Sequence, residues 1–131
     1  SVLIPMQCEF YALEGLSQLL NTMNMVQENL NPQLQIEGVL MTMYDSRLKI
    51  ANQIVQDVKN FFGDKLYKTI ISRSVRLIEA ASYGKPVIQY EPTSSGSRLY
   101  EDLAMEVLEK NNLLQTQETI QPTILTTEIS Q

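Results

Sequence analysis

The sequence predicts an α/β fold, a mostly parallel sheet flanked by helices, and three observations carry that expectation. Its apolar runs are short and continuous instead of alternating with polar residues: Val2 to Met6, Ile36 to Met43 and Leu66 to Ile71. Strands covered on both faces read this way. Between these runs lie longer segments whose apolar residues recur every three or four positions, and the joints between segments are short. Strand, helix and strand in that order, with short connections, make β-α-β units and a parallel sheet, whose ligand crevice lies at the carboxyl ends of the strands.

Taken in order, Val2 to Met6 holds Pro5 and opens the chain as a strand almost at residue 1. From about Phe10 to Leu30, the spacing of Leu13, Leu16, Leu20 and Met23 predicts an amphipathic helix that closes near Asn31 and Pro32. Ile36 to Met43 is the second strand, with Gly38 where a neighbour approaches closely. Ala51, Ile54, Val55, Val58, Phe61 and Phe62 mark a helix of about four turns that Gly63 stops. Leu66 to Ile71 is the third strand, and Ser72 to Ser82 follows as a loop or short helix. After the turn at Tyr83-Gly84-Lys85-Pro86, Val87 to Tyr90 is expected as a short strand. Leu99, Leu103, Ala104, Val107 and Leu108 line a last helix that Ser94 or Ser95 caps. Three or four strands are few for a doubly wound sheet, and with a start inside a strand they suggest the second half of a larger domain.

Composition narrows the chemistry. The chain has 131 residues, one domain's worth. It has one Cys and no His, which removes an internal disulfide, the commonest zinc ligand and the usual general base. Triad hydrolases and structural zinc sites fall away together. Cys8 reads as a small packing residue, and Glu9 and Glu14 as acids serving a helix start. No apolar run approaches the ~20 residues that span a bilayer, so the expected compartment is the cytoplasm. The only Gly-Lys pair, Gly84-Lys85, is followed by Pro86 and lacks the glycine spacing of a Walker A loop; the dinucleotide glycine motif is missing as well.

Charge is unevenly placed. The net charge is −5, yet from Arg47 to Lys85 eight basic residues (Arg47, Lys49, Lys59, Lys65, Lys68, Arg73, Arg76, Lys85) face three acidic ones (Asp57, Asp64, Glu79). That segment carries +5 and the remainder −10. A basic middle in an acidic protein is the pattern of a localised phosphate-binding face, although solvated lysines on a helix give the same count.

Three blocks then fit one family: Ile4-Pro5-Met6-Gln7-Cys8-Glu9-Phe10-Tyr11-Ala12-Leu13-Glu14-Gly15-Leu16, Ile36-Glu37-Gly38-Val39-Leu40-Met41-Thr42-Met43-Tyr44-Asp45-Ser46-Arg47, and Arg73-Ser74-Val75-Arg76-Leu77-Ile78-Glu79-Ala80. With Ser82-Tyr83-Gly84-Lys85-Pro86 after them, they resemble the C-terminal half of ParA/Soj chromosome and plasmid partition ATPases. The resemblance covers about residues 1–110 and implies the C-terminal half of a deviant-Walker P-loop NTPase fold, with the Walker A motif upstream. Residues 111–131, rich in Gln and Thr and without Lys or Arg, read as a disordered tail.

The resemblance also implies ATP and Mg in the complete protein and none for this chain alone. It implies a homodimer that binds non-specific DNA on the nucleoid, and a ParB/Spo0J-type partner. Carried over by position, Arg47 and Arg76 match the family's DNA-contacting arginines, with Lys49, Lys68, Arg73 and Lys85 as helpers. Ser72 and Arg73 match the loop that packs on the adenine, beside Thr42 and Met43. No catalytic residue falls in the chain. The sequence departs from the family pattern at Ser72 and Ala81, where prolines are usual, and at Ser74, where asparagine is. Two other readings are an α/β interaction module without ATPase activity and a MinD-like membrane-cycling ATPase. The second calls for a basic amphipathic tail, and no Lys or Arg follows Lys110.

Overall fold

A computed structural model describes residues 1–113. Three strands, β1 (Val2–Gln7), β2 (Ile36–Tyr44) and β3 (Leu66–Ser72), form one sheet in the order β1-β2-β3, both pairs parallel. Helix α1 (Phe10–Asn29) links β1 to β2, and α2 (Lys49–Phe62) with a single 3₁₀ turn (Gly63–Lys65) links β2 to β3. After β3 come α3 (Val75–Ser82), α4 (Val87–Tyr90) and α5 (Ser95–Lys110). The expected tail lies outside the described residues from position 114 onward.

The runs of β2 and β3 are covered on both faces of the sheet, whereas β1 is covered on one face only. On one face Ile4, Met6, Val39 and Met41 pack with Met23 of α1 and with Ala51, Ile54 and Val58 of α2. On the other, Leu40, Tyr67 and Ile71 pack under Leu99, Leu103 and Val107 of α5 and Leu77 of α3. Each fully buried aliphatic side chain contributes about 1.5–3 kcal/mol, so these two layers outweigh any helix propensity. Gly63 ends α2 with φ +55°, the left-handed geometry that glycine takes without strain. At Gly38 the approach of β3 is close: a Cβ there would enter the Tyr67 ring and stand 2.8 Å from the Lys65 carbonyl oxygen.

One expected element differs. Val87–Tyr90 is a helical turn, with Gln89 and Tyr90 N–H groups donating to the Pro86 carbonyl at 3.0 Å each. Pro86 sits at φ −66°, already set for a helix start. A fourth strand also has no vacant place beside β3, because the outer edge of β3 is taken. There the Glu106 carboxylate of α5 accepts the N–H groups of Lys68 at 2.7 Å and Thr69 at 2.9 Å. Ser94 caps α5 as the sequence suggests, its hydroxyl accepting the Ser97 N–H at 3.2 Å.

The opposite edge is bare. Among the described residues β1 pairs only with β2, and α5 does not reach it, so Leu3 and Pro5 stay exposed. Phe10, Tyr11 and Met25 of α1 are exposed beside it. An unpaired edge with apolar neighbours is a template for association. The 131-residue chain on its own is therefore expected above monomer mass in light scattering; a compact monomer with a cooperative melt would show the edge to be protected. Gly38→Ala is expected to lower stability by about 1–3 kcal/mol through overpacking against Tyr67. A urea midpoint equal to the parent's would show that the ring moves aside.

Candidate nucleotide and DNA rim

Parallel strands end on the same side, so the loops after β1, β2 and β3 share one rim. Cys8 donates its N–H to the Thr42 carbonyl at 3.1 Å, and the Thr42 hydroxyl donates to the Met6 carbonyl at 3.3 Å. Tyr44 lies opposite Ser72 in register, and the Arg73 N–H donates to the Tyr44 carbonyl at 2.9 Å. That bond extends the ladder one step past the strand and holds the second and third loops together. Met43 has φ +54°, an uncommon conformation for a side-chain-bearing residue, which costs about 1–3 kcal/mol. It falls where the β2–β3 register shifts between Met41 and Tyr44, and such an irregularity re-aims a side chain.

Two adjoining cavities open on the rim. One, of about 450 Å³, is apolar and is lined by Thr42, Met43 and Ser72 with Leu77, Ile78 and Tyr100 among others. The other, of about 400 Å³, is polar: Tyr44, Asp45, Ser46 and Arg47 line it from one loop, Ser72, Arg73 and Val75 from the next. Of the four residues expected around a base, Thr42, Met43 and Ser72 thus share the apolar cleft. Arg73 turns to the polar cavity, where it joins Arg47, and Ser72 borders both. Arg76 lines neither; it lies on the first turn of α3.

The arginines are paired. Arg47 donates from Nε to Asp45 Oδ1 at 2.9 Å and from Nη2 to Oδ2 at 2.6 Å, a bidentate contact. Asp45 Oδ1 also accepts the Arg47 backbone N–H at 3.1 Å, which fixes the turn. Arg76 Nη1 donates to Glu79 Oε2 at 2.8 Å, one helical turn on. Arg73 stands 3.9 Å from Glu9, so Glu9 faces the rim and its side chain makes no capping bond to α1. Glu9 is the N-cap residue of α1, at the positive end of its dipole, whereas Glu14 lies beyond the first turn, which carries no acid. Cys8 is buried, and burial pushes its thiol up to about 11, the state of a packing residue.

Sequence reasoning quoted Asp45 and Glu79 within the blocks without assigning them a role, although their spacing to Arg47 and Arg76 is the available signal. Tyr100 reaches the cleft from α5, and no local pattern marks it. The chain has no histidine, and the rim carboxylates Asp45 and Glu9 face arginines, Asp45 in a bidentate pair with Arg47 and Glu9 at 3.9 Å from Arg73.

A parallel sheet with helices on both faces and open loops at the carboxyl rim has the α/β architecture of P-loop NTPase-like proteins. A family profile described as an AAA domain matches residues 1–36. The chain is 60% identical over 107 residues to the sporulation initiation inhibitor protein Soj of Bacillus subtilis, covering 82% of this chain and 42% of that one. It is 49% identical over 111 residues to the chromosome partitioning protein ParA of Myxococcus xanthus, covering 85% and 39%. To the chromosome-partitioning ATPase Soj of Treponema pallidum it is 48% identical over 110 residues, covering 84% and 44%. The chain belongs to the ParA/Soj family and spans about two-fifths of the length of the relatives it matches.

Hydrogen bonds from Arg47 hold the Asp45 carboxyl at about 2, below its ordinary 3.8. The folded pKa is depressed, so the pair's stabilisation is complete above the unfolded value and is lost as pH falls through about 2. An NMR titration of the Asp45 side-chain carbon should place its midpoint near 2 and move it upward in Arg47→Ala. A parental midpoint near 3.8 would remove the ion pair.

Proposed function

We propose that the chain is part of a chromosome or plasmid partition ATPase, and that its rim holds the base side of ATP and a non-specific DNA contact. The observation that carries this reading is the convergence of the β2 and β3 loops, tied by the Arg73–Tyr44 bond, in a chain 60% identical to Soj. Thr42, Met43 and Ser72 supply an apolar slot whose volume lies in the range of small-molecule pockets. Arg73 stands at its border toward the polar cavity. The slot suits a flat purine base. Serine at position 72 brings no proline ring to stack on that base, so packing falls to Met43, Leu77, Ile78 and Tyr100.

The phosphate and Mg side has no residues here, since the sequence contains no Walker A loop. ATP hydrolysis, nucleotide-dependent homodimerisation and response to a ParB/Spo0J-type protein belong to the complete polypeptide in this reading. Among the described residues no helix is long and apolar enough to cross a membrane, and the working surface proposed is the nucleoid. Arg47 and Arg76 sit on consecutive loop-helix units of one rim, within the segment of surplus positive charge.

Isothermal titration of the 131-residue chain with Mg-ATP is expected to show no micromolar binding, because the phosphate cradle supplies most nucleotide affinity. Micromolar binding would reveal a phosphate site elsewhere in the chain. In the complete polypeptide, Arg47→Glu or Arg76→Glu is expected to abolish retention on DNA while ATP-dependent dimerisation survives. Loss of one phosphate contact should lower the log-log salt slope by about 0.9. Parental binding by both variants at equal salt would end the DNA reading.

A further inference from the structure

Both arginines proposed to meet DNA are already neutralised by acids of their own segments: Arg47 by Asp45, and Arg76 by Glu79. We infer that Asp45 and Glu79 act as counter-charge brakes on this face, holding the two arginines in closed ion pairs that a DNA phosphate must open. The inference rests on the DNA reading above and adds two positioning residues to it.

The geometry supports competition over assistance. Asp45 is the anchored partner, its side chain 16% exposed against 84% for Arg47, and its Oδ1 is also committed to the turn. The guanidinium is thus the group free to swing away. Asp45 occupies its Nε–Nη2 side, one of the sides from which an arginine makes paired hydrogen bonds to a phosphate. Non-specific affinity comes from neutralising phosphates and releasing their counterions, so an arginine balanced by a neighbouring carboxylate contributes less than its formal charge. Arg76 repeats the arrangement on α3 with a single contact, and Glu79 Oε2 also lies 3.4 Å from the Tyr90 hydroxyl, which donates to it. The Tyr90 ring stacks on Tyr83 at 5.4 Å, so the second acid too is held from behind.

The test uses the complete polypeptide with Mg-ATP and a labelled duplex of arbitrary sequence. Asp45→Asn keeps an acceptor for the turn and removes the charge; Glu79→Gln removes the charge and keeps an acceptor for the Tyr90 hydroxyl, and a thermal melt of each variant checks that it folds as the parent does. Each is expected to tighten binding about two- to five-fold, the range of exposed ion pairs, and to steepen the salt slope by up to about 0.9. In an Arg47→Gln background the Asp45→Asn gain should vanish, as a double-mutant cycle requires of an interaction routed through that pair. Equal or weaker binding by both single variants overturns the brake, weaker binding meaning that the acids orient the arginines. A gain that persists without Arg47 also overturns it, since the carboxylate would then repel DNA directly. If Arg47→Gln and Arg76→Gln themselves bind like the parent, the DNA reading has failed and the brake falls with it.

Discussion

Everything at the rim depends on the parallel register that sets Tyr44 opposite Ser72. A strand's side chains alternate between faces, so a slip of one residue would move Met41 and Ile71 out of their separate cores and carry both loops apart. The Arg73–Tyr44 bond continues this pairing beyond the strand ends and turns two independent connections into one surface. The strained φ of Met43 is tolerated because that register is fixed on both sides of it, by Met41 in the core and by Tyr44 at the rim. The apolar slot and the arginine cavity are adjacent for the same reason, with Ser72 shared between them.

The sheet's two edges are treated oppositely. On β3, Glu106 satisfies two backbone N–H groups that would otherwise invite another strand, and Lys110 lies 4.4 Å over the Tyr67 ring on the same side. Helix α5 thereby closes that edge as well as one face. On β1 neither happens among the described residues, and α1 buries only Met23 fully, leaving Phe10 and Tyr11 in solvent. The stable side of this structure is the β2–β3–α5 side, where two layers of aliphatic contacts meet a sealed edge.

Much of the fold is legible in sequence because its signals are local and agree with one another. The α2 stripe ends at a glycine that adopts positive φ, and α5 begins at a serine that caps it. Gly38 marks a close approach whose partner, Tyr67, only the three-dimensional pairing identifies. Val87–Tyr90 was illegible for a physical reason: Val87, Ile88 and Tyr90 around the polar Gln89 fit a short strand or a helical turn equally, and the place beside β3 that a strand would take is occupied by Glu106, nineteen residues beyond Val87 in α5. At the rim, the family blocks are what single out Arg47 and Arg76, whose DNA role is a proposal. The division of Arg73 from Thr42 and Met43 was not legible, because it depends on which way one side chain leaves a loop.

Charge counting shows where a sum and an arrangement part company. The surplus of five positive charges between Arg47 and Lys85 looks like a strong field, yet Glu79 within the segment engages Arg76, Asp45 just before it engages Arg47, and Glu9 approaches Arg73. The three arginines nearest the rim are therefore those with partners, whereas Lys49, Lys59, Lys68 and Lys85 form no salt bridge among the described residues. A long-range attraction for a polyanion would come mainly from these lysines, screened over roughly 10 Å at ordinary salt. Close contact would be made by the arginines only after they exchange one anion for another. An exchange costs far less than desolvating a bare charge, and it is reversible. In the proposed DNA contact, attraction and grip would then reside in different residue types, which suits reversible binding.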